Sequence, residues 1–310
     1  AGPVARDGRP ARVTPAPEPA AILETSLARE DYIAMVRAAR ALIAEGEIYQ
    51  VNLAQRLELA PVADGVALMR ALRRHSPAPF SAWLDTGSVQ VACASPERFL
   101  SLRVGRAQTR PIKGTRPRGA TPSEDRRQRA ELLASAKDRA ENVMIVDLAR
   151  NDLGRVCRPG SIQVEELCRL ESYASVHHLV SVVSGEPAPG RGRADLLRAL
   201  FPGGSMTGAP KVRALRTIDD LEPAPRGLYA GALGYLSACG GMDLNIVIRT
   251  LVQTGGRAWL SVGGGVVADS DPAAEHEESL HKARSFRSAL GALREPASQG
   301  SGTSRRRSPR

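Results

Sequence analysis

Strand-like runs in this 310-residue chain come in groups, with helical stretches set between the groups, and this grouping limits the fold more than any other feature. A regular strand–helix alternation would demand a parallel sheet. Grouped strands point instead to an α+β fold, mostly antiparallel sheets packed together with flanking helices. A first helix is expected over residues 27–45, where Ile33, Val36 and Ile43 lie near helical spacing and Gly46 supplies the residue that ends it. In residues 47–59 a period of two places Tyr49, Val51, Leu53, Leu57 and Leu59 on one face and Gln50, Asn52 and Arg56 on the other, predicting one core face and one polar face. After a helical segment at 66–74, strands are expected at 80–84, 89–94, 99–104 and 108–115. Thr121-Pro122-Ser123-Glu124 reads as a capping box opening a helical pair over 122–153. Strands at 161–173 and 177–184, helices at 194–201 and 209–221 with Pro210 in the first turn, and a meander at 228–237, 244–253 and 258–267 precede a last helix from Pro272.

Composition excludes several classes. No apolar run approaches the roughly 18 to 20 residues that span a bilayer, and the Pro, Ala and Arg-rich start lacks a secretory apolar stretch, so a cytoplasmic protein with no membrane partner is expected. Cys93, Cys157, Cys168 and Cys239 form no CxxC pair and read as reduced, largely buried packing residues. Of the net charge of +10, Arg305, Arg306, Arg307 and Arg310 in the tail supply four, leaving a modest +6 that suits a small dianionic substrate and does not require nucleic acid. Residues 1–26 read as a linker, 27–295 as the catalytic body and 296–310 as a disordered basic tail. Opening on Ala1, the chain reads as a fragment of something longer.

In the last helix Glu275, Glu278 and Lys282 stand at i, i+3 and i+7 and share one face, behind an Asp271-Pro272 cap. Alone, this reads as a solvated charged face. A second helix changes the balance, because Glu141 shares its side with Ile145 and Leu148 and so borders a face that must pack inward, where a carboxylate needs a partner. Carboxylates converging from two helices without Cys or His suit a hard ion, Mg²⁺ above Zn²⁺. His276 and His281 are five residues apart and diverge by about 140° on a helix, which excludes HExxH zinc chemistry. Residues 203–211 resemble a phosphate loop but place Ala209 where its lysine is required, although glycines before a helix can still present N–H groups to an anion.

Residues 109–118 are the most unusual chemically. If the segment is extended, Lys113 and Thr115 face one way and Arg110 and Arg116 the other. A basic surface strand is one reading. The other is a partly desolvated lysine with a depressed pKa that attacks carbon as the free amine. His178 lies in an apolar run and alone reads as a satisfied core histidine, while Arg249, amid Ile246-Val247-Ile248, must meet an anion if it points inward.

In order, Glu47 to Leu53, Ser95-Pro96-Glu97-Arg98-Phe99, Pro111 to Arg116, Ala140-Glu141-Asn142, Arg150-Asn151-Asp152, Ser205 to Lys211, Tyr229-Ala230-Gly231, Ile248-Arg249-Thr250 and Gly263-Gly264-Gly265 resemble the chorismate-utilising enzymes: anthranilate, aminodeoxychorismate, isochorismate and salicylate synthases. The resemblance spans about Leu27 to Leu293 and implies the anthranilate-synthase-like chorismate-binding fold. It implies Mg²⁺ held through Glu141 and Glu278 with Glu275 nearby, and an enolpyruvyl carboxylate met by Tyr229, Arg249 and backbone N–H groups around Gly263. Lys282 then neutralises substrate carboxylate charge, Gly114, Thr115 and His178 line the ring site, and Glu97 is the general acid for the 4-hydroxyl. Gln50 stands where water-using members carry a lysine, which implies ammonia as the nucleophile. Lys113 stands where anthranilate synthases usually carry alanine. That difference implies covalent catalysis by the lysine and amination at C4, as in the aminodeoxychorismate synthases that serve folate synthesis, with anthranilate synthesis as the alternative. No cysteine has the context of a glutaminase nucleophile, so the resemblance implies a separate glutamine amidotransferase partner supplying ammonia. Only about 26 residues precede the first matching helix, where the synthases carry a long segment completing their sheets.

Overall fold

The computed structural model describes residues 19–75 and 77–294. In chain order the elements are β1 (Glu24–Thr25), α1 (Arg29–Ala44), β2 (Gln50–Leu59), α2 (Gly65–His75), β3 (Phe80–Asp85), β4 (Val89–Ser95), β5 (Arg98–Arg103), β6 (Arg106–Arg110) and β7 (Ile112–Pro117). Then come α3 (Pro122–Ala134), α4 (Ala136–Gly154), β8 (Gln163–Ser172), β9 (Val176–Gly185), α5 (Arg193–Leu200), β10 (Gly208–Ala209), α6 (Lys211–Leu221), β11 (Ala232–Leu236), β12 (Met242–Ile246), β13 (Thr250–Thr254), β14 (Arg257–Val266) and α7 (Pro272–Arg294). The fold is α+β. Two seven-stranded antiparallel sheets form, one ordered β1-β2-β14-β13-β4-β3 with β10 also on β2, the other β11-β12-β5-β6-β9-β7 with β8 on β9.

Three apolar clusters hold these layers. Leu57, Leu59, Leu251 and Leu260 of the first sheet pack against Leu68 and Leu72 of α2 and Phe286 and Leu290 of α7. Tyr32 and Val36 of α1 and Ala214 of α6 cover Val51, Leu53 and Val266. Phe99, Leu100, Val183 and Leu244 of the second sheet meet Val146 and Leu153 of α4 and Leu196 of α5. A fully buried side chain such as Phe286 contributes roughly 1.5–3 kcal/mol through removal from water. Among the described residues no helix is long and apolar enough to cross a membrane.

Local signals hold up well where caps are involved. Glu45 ends α1, followed by Gly46 at φ +78°, and the Thr121 hydroxyl accepts from the Glu124 N–H at 3.2 Å. The return bond of the box is displaced by one residue, because the Glu124 carboxylate accepts from the Ala120 N–H at 3.0 Å. Pro210 is the N-cap of α6 and not a first-turn residue. Cys93, Cys157 and Cys168 are buried as expected, but Cys239 is exposed in the turn after β11.

Three expectations change. Strand β2 has no solvated polar face over its first half: Gln50 and Asn52 are buried beneath neighbouring elements, and Tyr49 lies outside the strand, exposed. The strand expected at 108–115 is two, β6 and β7, broken at Pro111, which has no N–H for a ladder. Gly114 at φ +84° sits within a register shift between Ile112 and Thr115, so simple alternation does not govern Lys113. Residues 244–253 are likewise two strands in different sheets, so the expected meander is two hairpins, β11–β12 and β13–β14.

The tail expected at 296–310 and residues 1–18 of the expected linker lie outside the described residues. Residues 20–25 are fastened to the body. The Ala20 N–H donates to the Arg287 carbonyl at 2.8 Å, and β1 pairs with β2.

Candidate active site

The chain passes from the first sheet to the second between β4 and β5, and back between β12 and β13. These two crossings lie side by side. The Ser95 hydroxyl donates to the Ile246 carbonyl at 2.6 Å, the Ile246 N–H donates to the Glu97 carbonyl at 3.0 Å, and the Ala94 N–H donates to the Arg249 carbonyl at 2.9 Å. Arg249 and Ala230 adopt left-handed backbone, φ +49° and +64°, which costs a residue with a Cβ on the order of 1 kcal/mol. Reciprocal backbone bonds hold it, from the Ala230 N–H to the Val247 carbonyl and from the Val247 N–H to the Gly231 carbonyl, each 2.9 Å. Glu97, Tyr229 and Arg249, spread over 150 residues of sequence, thereby reach one seam.

Opposite this seam β14 runs Gly263-Gly264-Gly265 past β2. A Cβ on Gly265 would come within 2.4 Å of Gln50 Nε2 and 3.1 Å of Lys113 Nζ, so the bare glycine leaves room for both the amide and the amine. Gln50 Oε1 is buried with no protein partner. Burial drives the Lys113 pKa down, with Lys282 adding to the effect, against the pull of Glu141, Glu97 and Glu278. Burial pushes Glu97 up to about 7, so close to neutral pH a large fraction of it is a protonated acid. An amine whose pKa is lowered and a carboxylic acid that is partly protonated near neutral pH are thus held in the same site.

Gly114 brings β7 against α4, since a Cβ there would lie 2.9 Å from Asp138 Cβ. The neighbouring Thr115 is exposed, but its hydroxyl is hydrogen-bonded to His178 Nδ1 at 2.9 Å. Burial, then the Arg249 charge, lowers His178 to about 4, so the ring is neutral at pH 7. Tyr229 is pushed up to about 12 by burial and stays a phenol, a hydrogen-bond donor beside the Arg249 guanidinium.

The carboxylates gather around Gly264. A Cβ on it would lie 3.0 Å from Glu275 Oε2, 3.5 Å from Lys282 Nζ and 3.9 Å from Glu278 Oε1. Lys282 donates to the Gly263 carbonyl at 2.7 Å and pairs with Glu278 at 2.8 Å, so the carbonyl of Gly263 is the atom that faces the cluster. Ser270 donates to Glu275 at 2.7 Å. Burial and then nearby acids raise Glu141 and Glu275, whereas for Glu278 burial is opposed by Lys282, with Lys137 and Lys113, which together hold it low. This donor set is all carboxylate oxygen, the type of donor that a hard divalent cation takes. Among the described residues no three His, Cys, Asp or Glu side chains are placed so as to hold a metal ion directly.

The structure therefore groups the predicted residues as Lys113, Gln50 and Glu97; Gly114, Thr115 and His178; Tyr229 and Arg249; and Glu141, Gly263, Glu275, Glu278 and Lys282. Sequence reasoning missed Ser205, whose hydroxyl is buried without a partner and shares with Glu97, Thr109 and Asp152 the wall of a cavity of about 30 Å³. The glycines of residues 203–208 were the available signal. They do not free an anion loop: Gly208 packs so tightly on β2 that a Cβ would lie 2.1 Å from the Gln50 carbonyl oxygen. Lys137 was also missed. Its charge favours ionisation of Glu141, Glu275 and Glu278, and its place one turn before Glu141 on α4 was the signal.

Among known proteins, the chorismate binding enzyme family matches residues 5–288. Aminodeoxychorismate synthase component 1 of Klebsiella aerogenes is 51% identical over 257 residues, 83% of this chain and 57% of that protein. Anthranilate synthase component 1 of Aquifex aeolicus is 43% identical over 266 residues, 86% of this chain and 54% of that protein. The crystal structure of anthranilate synthase component I from Streptococcus pneumoniae TIGR4 has a TM-score of 0.79 at 38% identity, covering 87% of this chain and 60% of that one. The chain thus spans little more than half the length of these proteins.

Proposed function

The chain belongs to the chorismate binding enzyme family, and on that premise we propose that it aminates chorismate at C4, as the catalytic part of an aminodeoxychorismate synthase component 1. The observation that carries this reading is that Lys113 Nζ and Gln50 Nε2 both lie against Gly265. Relatives named aminodeoxychorismate synthase at 43–52% identity support it.

The Lys113 amine attacks ring C2, forming a C–N bond as the C4–O bond breaks, and the Glu97 proton leaves with the oxygen as water. Ammonia then bonds to C4 and expels Lys113 from C2, its surplus proton returning to Glu97. Gln50 is an amide in the nucleophile's place and, unlike an amine, cannot act as a base for water. Thr115 and His178 line the ring; Tyr229 and Arg249 bind the enolpyruvyl carboxylate. Glu141, Glu275 and Glu278 would hold Mg²⁺, whose charge offsets the ring carboxylate, with Lys282 beside it. Ammonia comes from a glutamine amidotransferase partner, in keeping with the component 1 designation of the relatives.

Incubation with chorismate, ammonium and Mg²⁺, with and without an amidotransferase, tests the reading by product identification. Aminodeoxychorismate is expected, and anthranilate alone would overturn it. With ammonia withheld, intact mass should reveal a substrate adduct on the parent protein and none on Lys113→Ala.

A further inference from the structure

The loop between α6 and β11 carries a buried ion pair that none of the roles above uses. The side chains of Arg226 and Glu222 are 16% and 5% exposed, too enclosed for a surface ion pair. The Arg226 guanidinium donates through Nε to Glu222 Oε2 at 2.9 Å and through Nη2 to Glu222 Oε1 at 2.6 Å, the bidentate fork that only arginine offers. Its other donors reach two carbonyls from distant parts of the chain, Met206 at 2.7 Å and Asn52 at 2.7 Å. Glu222 in turn accepts from the Ala54 N–H at 2.8 Å. The Arg226 Cζ stands 5.6 Å from the centre of the Tyr229 ring, and the Tyr229 N–H donates to the Arg226 carbonyl at 3.0 Å.

One side chain therefore joins the end of α6, the turn that carries Ser205, and the start of β2 where Gln50 and Asn52 lie. It backs the tyrosine that faces Arg249. We propose that Arg226 is a positioning residue for substrate binding: clamped by Glu222, it fixes the Tyr229 ring against β2 so that the phenol meets the substrate carboxylate. This rests on the chorismate reading, and it assigns a dependence of substrate affinity to a residue that touches no substrate.

Lysine at this position keeps the charge but cannot fork to Glu222 while also reaching both carbonyls. In the full chain, Arg226→Lys should raise KM for chorismate by about tenfold and change kcat by less than about threefold. Tyr229→Phe should raise KM by itself, and adding Arg226→Lys to it should raise KM no further, because the clamp acts through the phenol. A residue that served stability alone would lower the folded fraction and kcat together and leave KM in place. An unchanged KM in Arg226→Lys, or the same factor in the Tyr229→Phe background, overturns the inference. If Arg226→Lys does not fold, Glu222→Gln retains the arginine and loosens the fork; a KM rise of about threefold that vanishes with Tyr229→Phe supports the clamp, and an unchanged KM overturns it. The parent protein is the control that separates the two readings. Without chorismate turnover the enzyme reading itself falls; with turnover but no such KM pattern, only the clamp does.

Discussion

The Ser95 hydroxyl donates to the Ile246 carbonyl at 2.6 Å and so joins two of the places where the chain leaves one sheet for the other, β4 to β5 and β12 to β13. This short bond lies between the backbone that carries Glu97 and the backbone that carries Arg249. Glu97 and Arg249 are therefore set relative to each other by the backbone of these crossings.

Replacing Ser95 by Ala tests that connection. The Ile246 carbonyl would lose a buried partner, at a cost of about 1–3 kcal/mol. Denaturant unfolding should show that loss, and kcat/KM for chorismate should fall in the folded fraction because both site residues move. A stability loss with unchanged kcat/KM would mean that the crossing holds the fold without tuning the site.

On the proposed mechanism the pH dependence follows from two shifted groups. Lys113, lowered chiefly by burial, works as the free amine and loses activity as pH falls through its pKa. Glu97, raised to about 7 chiefly by burial, works as the acid and loses activity as pH rises through that value. A profile of kcat/KM should decline above about pH 7, and Glu97→Gln should abolish that alkaline limb along with most of the turnover. A flat profile from pH 6 to 9 would remove Glu97 from the acid role.

The three glycines of β14 should behave unequally. Gly265→Ala pushes a methyl group toward Gln50 Nε2 and Lys113 Nζ, both ends of flexible side chains. The fold should survive with little change in thermal midpoint, while adduct formation falls by about a hundredfold through misplacement of the amine. Gly263→Ala instead meets the Leu53 carbonyl oxygen at 2.1 Å, rigid backbone, and should destabilise the sheet itself. Thermal unfolding and single-turnover adduct measurements separate the two outcomes.

What the sequence disclosed and what it concealed divide along the same physical line. Helix ends are local events, so Gly46 and Thr121 announce them. Glu275, Glu278 and Lys282 share a face because helical spacing alone requires it, and the structure gathers them at Gly264. The crossing at Val247–Arg249 left no such mark. Ile246, Val247 and Ile248 read as one continuous strand, and only pairing with partners far along the chain divides it between sheets. Gln50 and Asn52 gave a polar alternation that ordinarily means solvent, yet both are buried, and the Gln50 amide lies against Gly265, far along the chain. Arg226 was invisible for the same reason, since two of its acceptors, the carbonyls of Asn52 and Met206, belong to elements distant in sequence.

The carboxylate cluster predicts how the protein responds to a divalent cation. Glu141 and Glu275 are both raised, first by burial and then by neighbouring acids, so each is easier to ionise when a cation is at hand. Mg²⁺ should therefore bind more tightly as pH rises and release protons on binding, and it should raise the thermal midpoint in proportion to the logarithm of its concentration above Kd. Glu275→Gln keeps the shape and the Ser270 contact but removes one charge, and should weaken Mg²⁺ binding by about tenfold or more while leaving the metal-free midpoint unchanged or slightly higher. Calorimetric titration with MgCl₂ in two buffers of different ionisation enthalpy measures affinity and proton release together. If Mg²⁺ affinity does not fall as pH is lowered through the range in which carboxyl groups titrate, the cation sits elsewhere than among Glu141, Glu275 and Glu278.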